Sequence, residues 1–125
     1  MIHVIATIEV AAGKRNDFLA EFRRIVPQVR AETGCIEYGP AVDLAADLAV
    51  PVPLRENVAV ILEKWESLDA LKAHMVAPHM QDYRVRVKDL VARVQLQVLE
   101  PAWCRNAIRR TARLKQPVQL GERPD

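Results

Sequence analysis

The stretch Glu63-Lys-Trp-Glu-Ser-Leu-Asp-Ala-Leu-Lys-Ala-His74, with Pro78-His79-Met80 shortly after it, decides how this chain folds. It reads as the end of a strand, a capped helix start, and a helix broken at a proline. Ser67 stands where an N-cap is expected, because its hydroxyl can accept from a free backbone N–H one turn on. Asp69 then falls in the first turn, where the helix dipole favours a negative charge. Pro78 has no N–H, and its ring clashes with the carbonyl one turn back, that of His74. The helix therefore kinks or restarts between His74 and His79. A bend of that kind opens space beside a sheet and aims both imidazoles at it.

The flanking sequence supplies the sheet. Upstream, Val58 to Trp65 is a strand, and it follows a long loop, Ala45 to Asn57, that contains Pro51 and Pro53. Downstream, the restarted helix carries Met80, Tyr83, Val87, Leu90 and Val91 on one face. Arg93 to Leu99 is the last strand, with Val94, Leu96 and Val98 alternating against Arg93, Gln95 and Gln97. At the N-terminus, Ile2, Val4, Ala6, Ile8 and Val10 alternate with His3, Ile5, Thr7 and Glu9, a period that argues for a strand. After the turn at Ala12-Gly13-Lys14, Asn16 or Asp17 is positioned to cap a helix. Its stripe is Phe18, Phe22, Ile25, Val26 and Val29. Pro27 is expected to bend this helix, and Gly34 to stop it. Cys35 to about Leu44 is a strand broken at Gly39-Pro40, which requires a bulge or an edge position.

The order is β-α-β-β-α-β. It defines an α+β class of fold, the ferredoxin-like split βαβ: a four-stranded antiparallel sheet with helices on one face. In the first strand Ile5 and Thr7 oppose the main stripe, and in the third Ala59 and Ile61 do so. Neither face is clearly polar, and a sheet apolar on both sides needs cover on both. The expectation is a homodimer whose two sheets pack face to face.

Composition bounds the partners. A chain of 125 residues with half of them hydrophobic fits one domain, placed at residues 1–103, and a basic tail at 104–125. Residues 1–104 hold 12 basic and 14 acidic side chains, a balance of −2, whereas 105–125 hold 6 and 2, a balance of +4. The tail reads as a solvated terminus; a short basic helix docking on an acidic surface is the alternative. Two Phe, two Tyr and two Trp are too few for a stacking platform, and a net charge of +2 does not call for a polyanion, so no nucleic-acid partner is expected. No apolar run approaches membrane-spanning length. The first residues lack the basic start of a signal peptide. Cys35 and Cys104 form no metal-ligand spacing and no disulfide framework, so a reducing cytoplasm is the expected setting.

Val26-Pro27, Glu32-Thr-Gly-Cys-Ile-Glu-Tyr38 and Glu63-Lys-Trp-Glu-Ser-x-x-x-Leu71-x-x-His74-x-x-x-Pro78-His79-Met80, in this order of elements, resemble the antibiotic biosynthesis monooxygenase family, and within it the bacterial quinol monooxygenases. The resemblance ends at Leu99-Glu-Pro101. It implies a dimeric α+β barrel with a pocket between helices and sheet in each subunit. It also implies oxidation of a quinol or phenolic aromatic by O2, with no cofactor and no metal, the substrate supplying the electrons. One branch of that family degrades haem; it carries an asparagine on the first strand and a ligating histidine about a turn beyond His79. Here that strand has no asparagine, and Arg84 stands at the second place.

The chemistry needs a proton acceptor near neutrality, and His74 is the first candidate. His79 follows, as a second proton carrier or as a donor to a substrate oxygen. Glu63, at the end of its strand, is expected to orient a histidine. Trp65 offers a flat packing surface for an aromatic substrate, Tyr38 and Tyr83 offer hydroxyl donors, and Arg84 offers a cation for a phenolate. Two other functions fit the same fold: a small-molecule-binding barrel without catalysis, and an isomerase or lyase that uses the histidines without oxygen.

Overall fold

The computed structural model describes residues 1–103. The basic tail and Cys104 lie outside them. The elements run β1 (Ile2–Val10), α1 (Arg15–Arg30), β2 (Cys35–Ala41), β3 (Val58–Trp65), α2 (Leu68–Met75), α3 (Pro78–Val87) and β4 (Val91–Leu99). The strands form one antiparallel sheet in the order β2-β3-β1-β4. This is the expected ferredoxin-like order, with its second helix in two pieces.

Register decides which side chains meet the helices. β1 pairs with β3 so that Ile8 lies opposite Ala59, Ala6 opposite Ile61 and Val4 opposite Glu63. These residues are buried, as are Val10 and Trp65. The stripe of β1 is the one its alternation predicts. On β3 the expectation is reversed: Ala59 and Ile61 are the core-facing residues, while Val58, Val60 and Leu62 turn to the open face. A shift of one residue exchanges the two faces of a strand, and the alternation of β3 alone, apolar on both sides, does not choose between them.

α1 buries Phe18, Phe22, Ile25, Val26 and Val29, and Leu19 as well. Each such side chain contributes about 1.5–3 kcal/mol when fully buried. The cap differs from expectation. Lys14 is the N-cap and has no side-chain cap bond. Asn16 and Asp17 fall inside the first turn, because Gly13 turns the chain early with a φ of 76° and donates its N–H to Asn57 Oδ1 at 3.1 Å. Pro27 does not divide α1, which is continuous across it. Its ring is on the exposed side, and packing of α1 against β2 and α3 outweighs one missing backbone bond.

Gly34 is not the immediate helix stop. α1 is capped by Ala31 in a right-handed conformation. Gly34 lies beyond, with a φ of 86°, and a Cβ there would fall 2.6 Å from Cβ of Ala70 on α2. The residue therefore permits both a left-handed turn and close approach of α2. Gly34→Ala is expected to cost about 2 kcal/mol or more. For a domain of this size that lowers Tm by roughly 8 °C or more. Adding Ala70→Gly should recover part of the loss, and an additive double variant in thermal melts would refute the contact.

Gly39 and Pro40 lie within β2, which is an edge strand with a register shift between Cys35 and Glu37. The loop to β3 is tied at its base, where Asp43 accepts from the backbone N–H, Nε and Nη2 of Arg55, each at 2.8 Å. At the other edge α3 ends at Val87, and β4 already begins at Val91. Leu90 and Val91 therefore leave the helical face on which they were expected. Val94, Leu96 and Val98 of β4 stay exposed, as does Leu62 on the open face.

Candidate active site

The helix break forms as its local sequence requires. Ser67 Oγ accepts from the N–H of Ala70 at 3.1 Å, and Asp69 lies in the first turn of α2. Pro78 opens α3 at a position where no N–H is needed. His74 thus ends up in the last turn of α2 and His79 in the first turn of α3.

Glu32, on the link between α1 and β2, brings the two together. Its Oε2 accepts from Nδ1 of His74 at 3.0 Å and from Nε2 of His79 at 2.6 Å. The side chains of His74, Glu32 and His79 are 2%, 14% and 20% exposed, so the cluster runs from the interior toward the surface. The His74 ring lies 4.7 Å from that of Trp65 and 5.3 Å from that of Tyr38. With Nδ1 committed to Glu32, Nε2 of His74 has no hydrogen-bond partner among the described residues. Burial holds the His74 pKa below its usual value, and the bond to Glu32 opposes that shift. The neutral imidazole, with an open lone pair, is the resting form at neutral pH.

His74 lines a cavity of about 380 Å³ between the helix side of the sheet and α2 and α3. That volume suits a small organic molecule. The walls are mostly apolar, with Ile61, Met80 and Leu96 among them. Tyr38, Tyr83, Glu63 and Arg84 line it too. The hydroxyls of Tyr38 and Tyr83 have no hydrogen-bond partner among the described residues, although the two residues are only 3% and 8% exposed. Burial raises both phenol pKa values, so each hydroxyl stays a donor at neutral pH. Such donors, left open in an apolar cavity, suit an oxygen-bearing ligand.

Five of the residues singled out in the sequence, His74, Tyr38, Tyr83, Glu63 and Arg84, therefore share one cavity. His79 and Trp65 stand behind His74 rather than on the wall. Glu63 is placed differently from its expected role. It accepts from Nε1 of Trp65 at 2.9 Å instead of orienting a histidine, since both side chains project from the same face of β3. Burial raises its pKa, the Trp65 bond opposes that, and the charge of Glu32 adds to it. Arg84 is exposed and donates to the carbonyl of Met75 at 2.7 Å, which closes the C-terminal end of α2. Glu32 is the residue that sequence reasoning left without a role. It stands in the Glu32-Thr-Gly34 turn, 42 positions from His74, and nothing local marks it as a partner. Among the described residues no cluster of His, Cys, Asp and Glu is arranged to hold a metal ion, and no helix is long and apolar enough to cross a membrane.

The chain is thus a split ferredoxin-like domain with a carboxylate-held histidine on the wall of an apolar cavity. Residues 1–86 match the model of the family described as antibiotic biosynthesis monooxygenase, and the chain belongs to that family. It is 38% identical over 103 residues to the Escherichia coli protein named "Probable quinol monooxygenase YgiN", a match covering 81% of this chain and 98% of the relative. Among solved structures it is similar to Rv0793 from Mycobacterium tuberculosis, at 30% identity and a TM-score of 0.65, covering 80% of this chain and 93% of that one. PA3566 from Pseudomonas aeruginosa is similar at 25% identity and a TM-score of 0.67, with 80% and 92% covered. Family membership supports a monooxygenase-type function.

Proposed function

We propose that the chain is a cofactor-independent monooxygenase that oxidises a quinol or related phenolic aromatic with O2. The observation that carries this reading is the Glu32–His74 pair on an apolar cavity that also holds two unpartnered tyrosine hydroxyls. Nε2 of His74 takes a hydroxyl proton from the bound quinol. Glu32 holds the ring in the required tautomer and stabilises the imidazolium that forms. Tyr38 and Tyr83 donate to substrate oxygens, and Arg84 at the rim offers a positive charge to the anion. The quinolate is electron-rich enough to reduce O2 directly. One oxygen atom enters the ring and the other leaves as water, so that quinol and O2 give hydroxyquinone and water. All four electrons come from the substrate, and the proton held by His74 returns to the departing oxygen.

Oxygen uptake by the purified protein with a panel of benzo- and naphthoquinols tests this. The expected result is uptake above the spontaneous rate, with one hydroxyquinone formed per O2. Formation of unsubstituted quinone and hydrogen peroxide would mark plain autoxidation. Turnover without uptake would indicate an isomerase or lyase, and binding without turnover a binding protein.

We also place the active form as a homodimer. The open sheet face carries Ile5, Val60 and the exposed Leu62, and both faces of β4 are uncovered. A second copy would cover them. Sedimentation at micromolar concentration should give twice the 14.1 kDa chain mass, and a stable monomer would refute it. The low cysteine count supports a cytoplasmic setting.

A further inference from the structure

Glu32 holds two imidazoles on one oxygen. Its Oε2 lies 3.0 Å from Nδ1 of His74 and 2.6 Å from Nε2 of His79. At such separations a proton must lie between nitrogen and oxygen, since two lone pairs would otherwise face each other. Both ring nitrogens therefore donate to the carboxylate. Each imidazole keeps one lone pair: Nε2 on His74, which lines the cavity, and Nδ1 on His79, which is the most exposed member of the cluster. In this state the three side chains together carry one negative charge. One added proton neutralises them, and it can sit at either end. A second leaves a net positive charge in a site where His74 is 2% and Glu32 14% exposed, which is costly. The other ionisable groups that act on the cluster are Glu63 of β3, Cys35 and Tyr38 of β2 and Arg84 of α3. The charge of Arg84 acts on His74 and further disfavours the second proton.

We propose that Glu32, His74 and His79 form a one-proton unit, in which His79 is a positioning residue that sets the acid limit of base catalysis by His74. A proton on His79 compensates the charge of Glu32. His74 then has no net negative partner against which to take a proton from the substrate. The outer imidazole thus responds to the surrounding pH and withdraws the inner one from catalysis in acid. The catalytic half of this inference rests on the assignment of His74 as the base. The coupling of the two imidazoles is a property of the free protein.

The test uses the full-length protein and two readouts: histidine ring titration by NMR, and the pH profile of kcat/KM for quinol-dependent oxygen uptake. His79→Gln keeps an amide donor for Glu32 but does not titrate. In the wild type the two rings should titrate as a coupled pair with macroscopic steps. In His79→Gln the first proton is confined to His74, and its uptake should move to lower pH by about 0.3 unit, the statistical factor for two equal sites, and by more where His79 takes the larger share. The acid limb of kcat/KM, normalised to its own plateau, should move with it. Independent titration of the two rings in the wild type overturns the unit. An acid limb that stays in place overturns the role of His79, because that is the result for a residue that only holds Glu32. A limb that moves to higher pH also overturns it, because a protonated His79 would then leave the base active and merely weaken it. Absence of turnover with every quinol removes the catalytic assignment and the acid limit with it, whereas the NMR titration judges the unit separately.

Discussion

His74→Ala is expected to lower kcat/KM for quinol-dependent oxygen uptake by roughly 10²-fold or more, the usual scale for losing a positioned general base. Nε2 of His74 is the open lone pair on the cavity wall, and Glu32 fixes the ring from behind. In the wild type the rate should rise with pH as the Glu32–His74–His79 unit loses its first proton and then level off. With His79 made non-titrating the rise should fall below the ordinary histidine value of 6.5, because burial holds the His74 pKa down. The same depressed pKa links to stability. The unfolded chain binds this proton more readily, so the contribution is fully present above pH 6.5 and is lost as pH falls toward the folded pKa. His74 is 1% exposed and packs on Trp65, so truncation also leaves a small void and removes one donor from Glu32. Rates are therefore compared at equal folded fraction and equal ligand occupancy. His79→Ala should cost less, since that residue does not reach the cavity. The competing account is spontaneous oxidation of a quinol that the pocket merely holds. It predicts near-normal turnover in His74→Ala and a pH profile set by the quinol's own ionisation. Oxygen consumption from pH 5 to 9 separates the two.

Trp65→Ala should destabilise the fold by about 3–5 kcal/mol, the range for removing a large buried aromatic. Trp65 is fully buried, and its ring contacts those of Tyr38 and His74. Its indole N–H is the donor to Glu63, which is itself 8% exposed. Truncation leaves that carboxylate buried without its donor, adding about 1–3 kcal/mol. Against a total stability of about 5–15 kcal/mol, the variant is at the edge of folding. Trp65→Phe keeps an aromatic ring but loses the donor and part of the indole volume, so it should cost less than Trp65→Ala and raise the Glu63 pKa further. Urea denaturation measures both, and a Trp65→Ala cost under about 1 kcal/mol would show that the cluster around it collapses to fill the space.

The site was legible in part. His74 and His79 were visible because Ser67 and Pro78 act on neighbours in the chain: a cap and a missing N–H operate over one turn, wherever the helix later docks. The same is true of the β1 stripe and the α1 stripe, whose periods are set by backbone geometry, and of β2, whose Gly39-Pro40 pair demanded the edge it occupies. Those local terms yield the strand and helix order, and from the order the ferredoxin-like class.

Other features needed the assembled sheet. β3 is apolar on both faces, so only its pairing with β1 decided that Ala59, Ile61, Glu63 and Trp65 turn inward. That choice gave Glu63 to Trp65 and left the histidines to another carboxylate. Glu32 became that carboxylate because the link after α1 passes beside the α2–α3 break, a juxtaposition of residues far apart in sequence that no local period encodes. Gly34 is required less by the end of α1 than by Ala70, which only docking of α2 brings within 2.6 Å of its missing Cβ. By itself, then, the sequence determined which segments are strands and helices and where the histidine-bearing helix breaks, because caps, periods and prolines act within a turn or two. The tertiary structure alone decided which face of β3 is inside and which carboxylate holds His74, because strand register and loop approach are settled by contacts between distant parts of the chain.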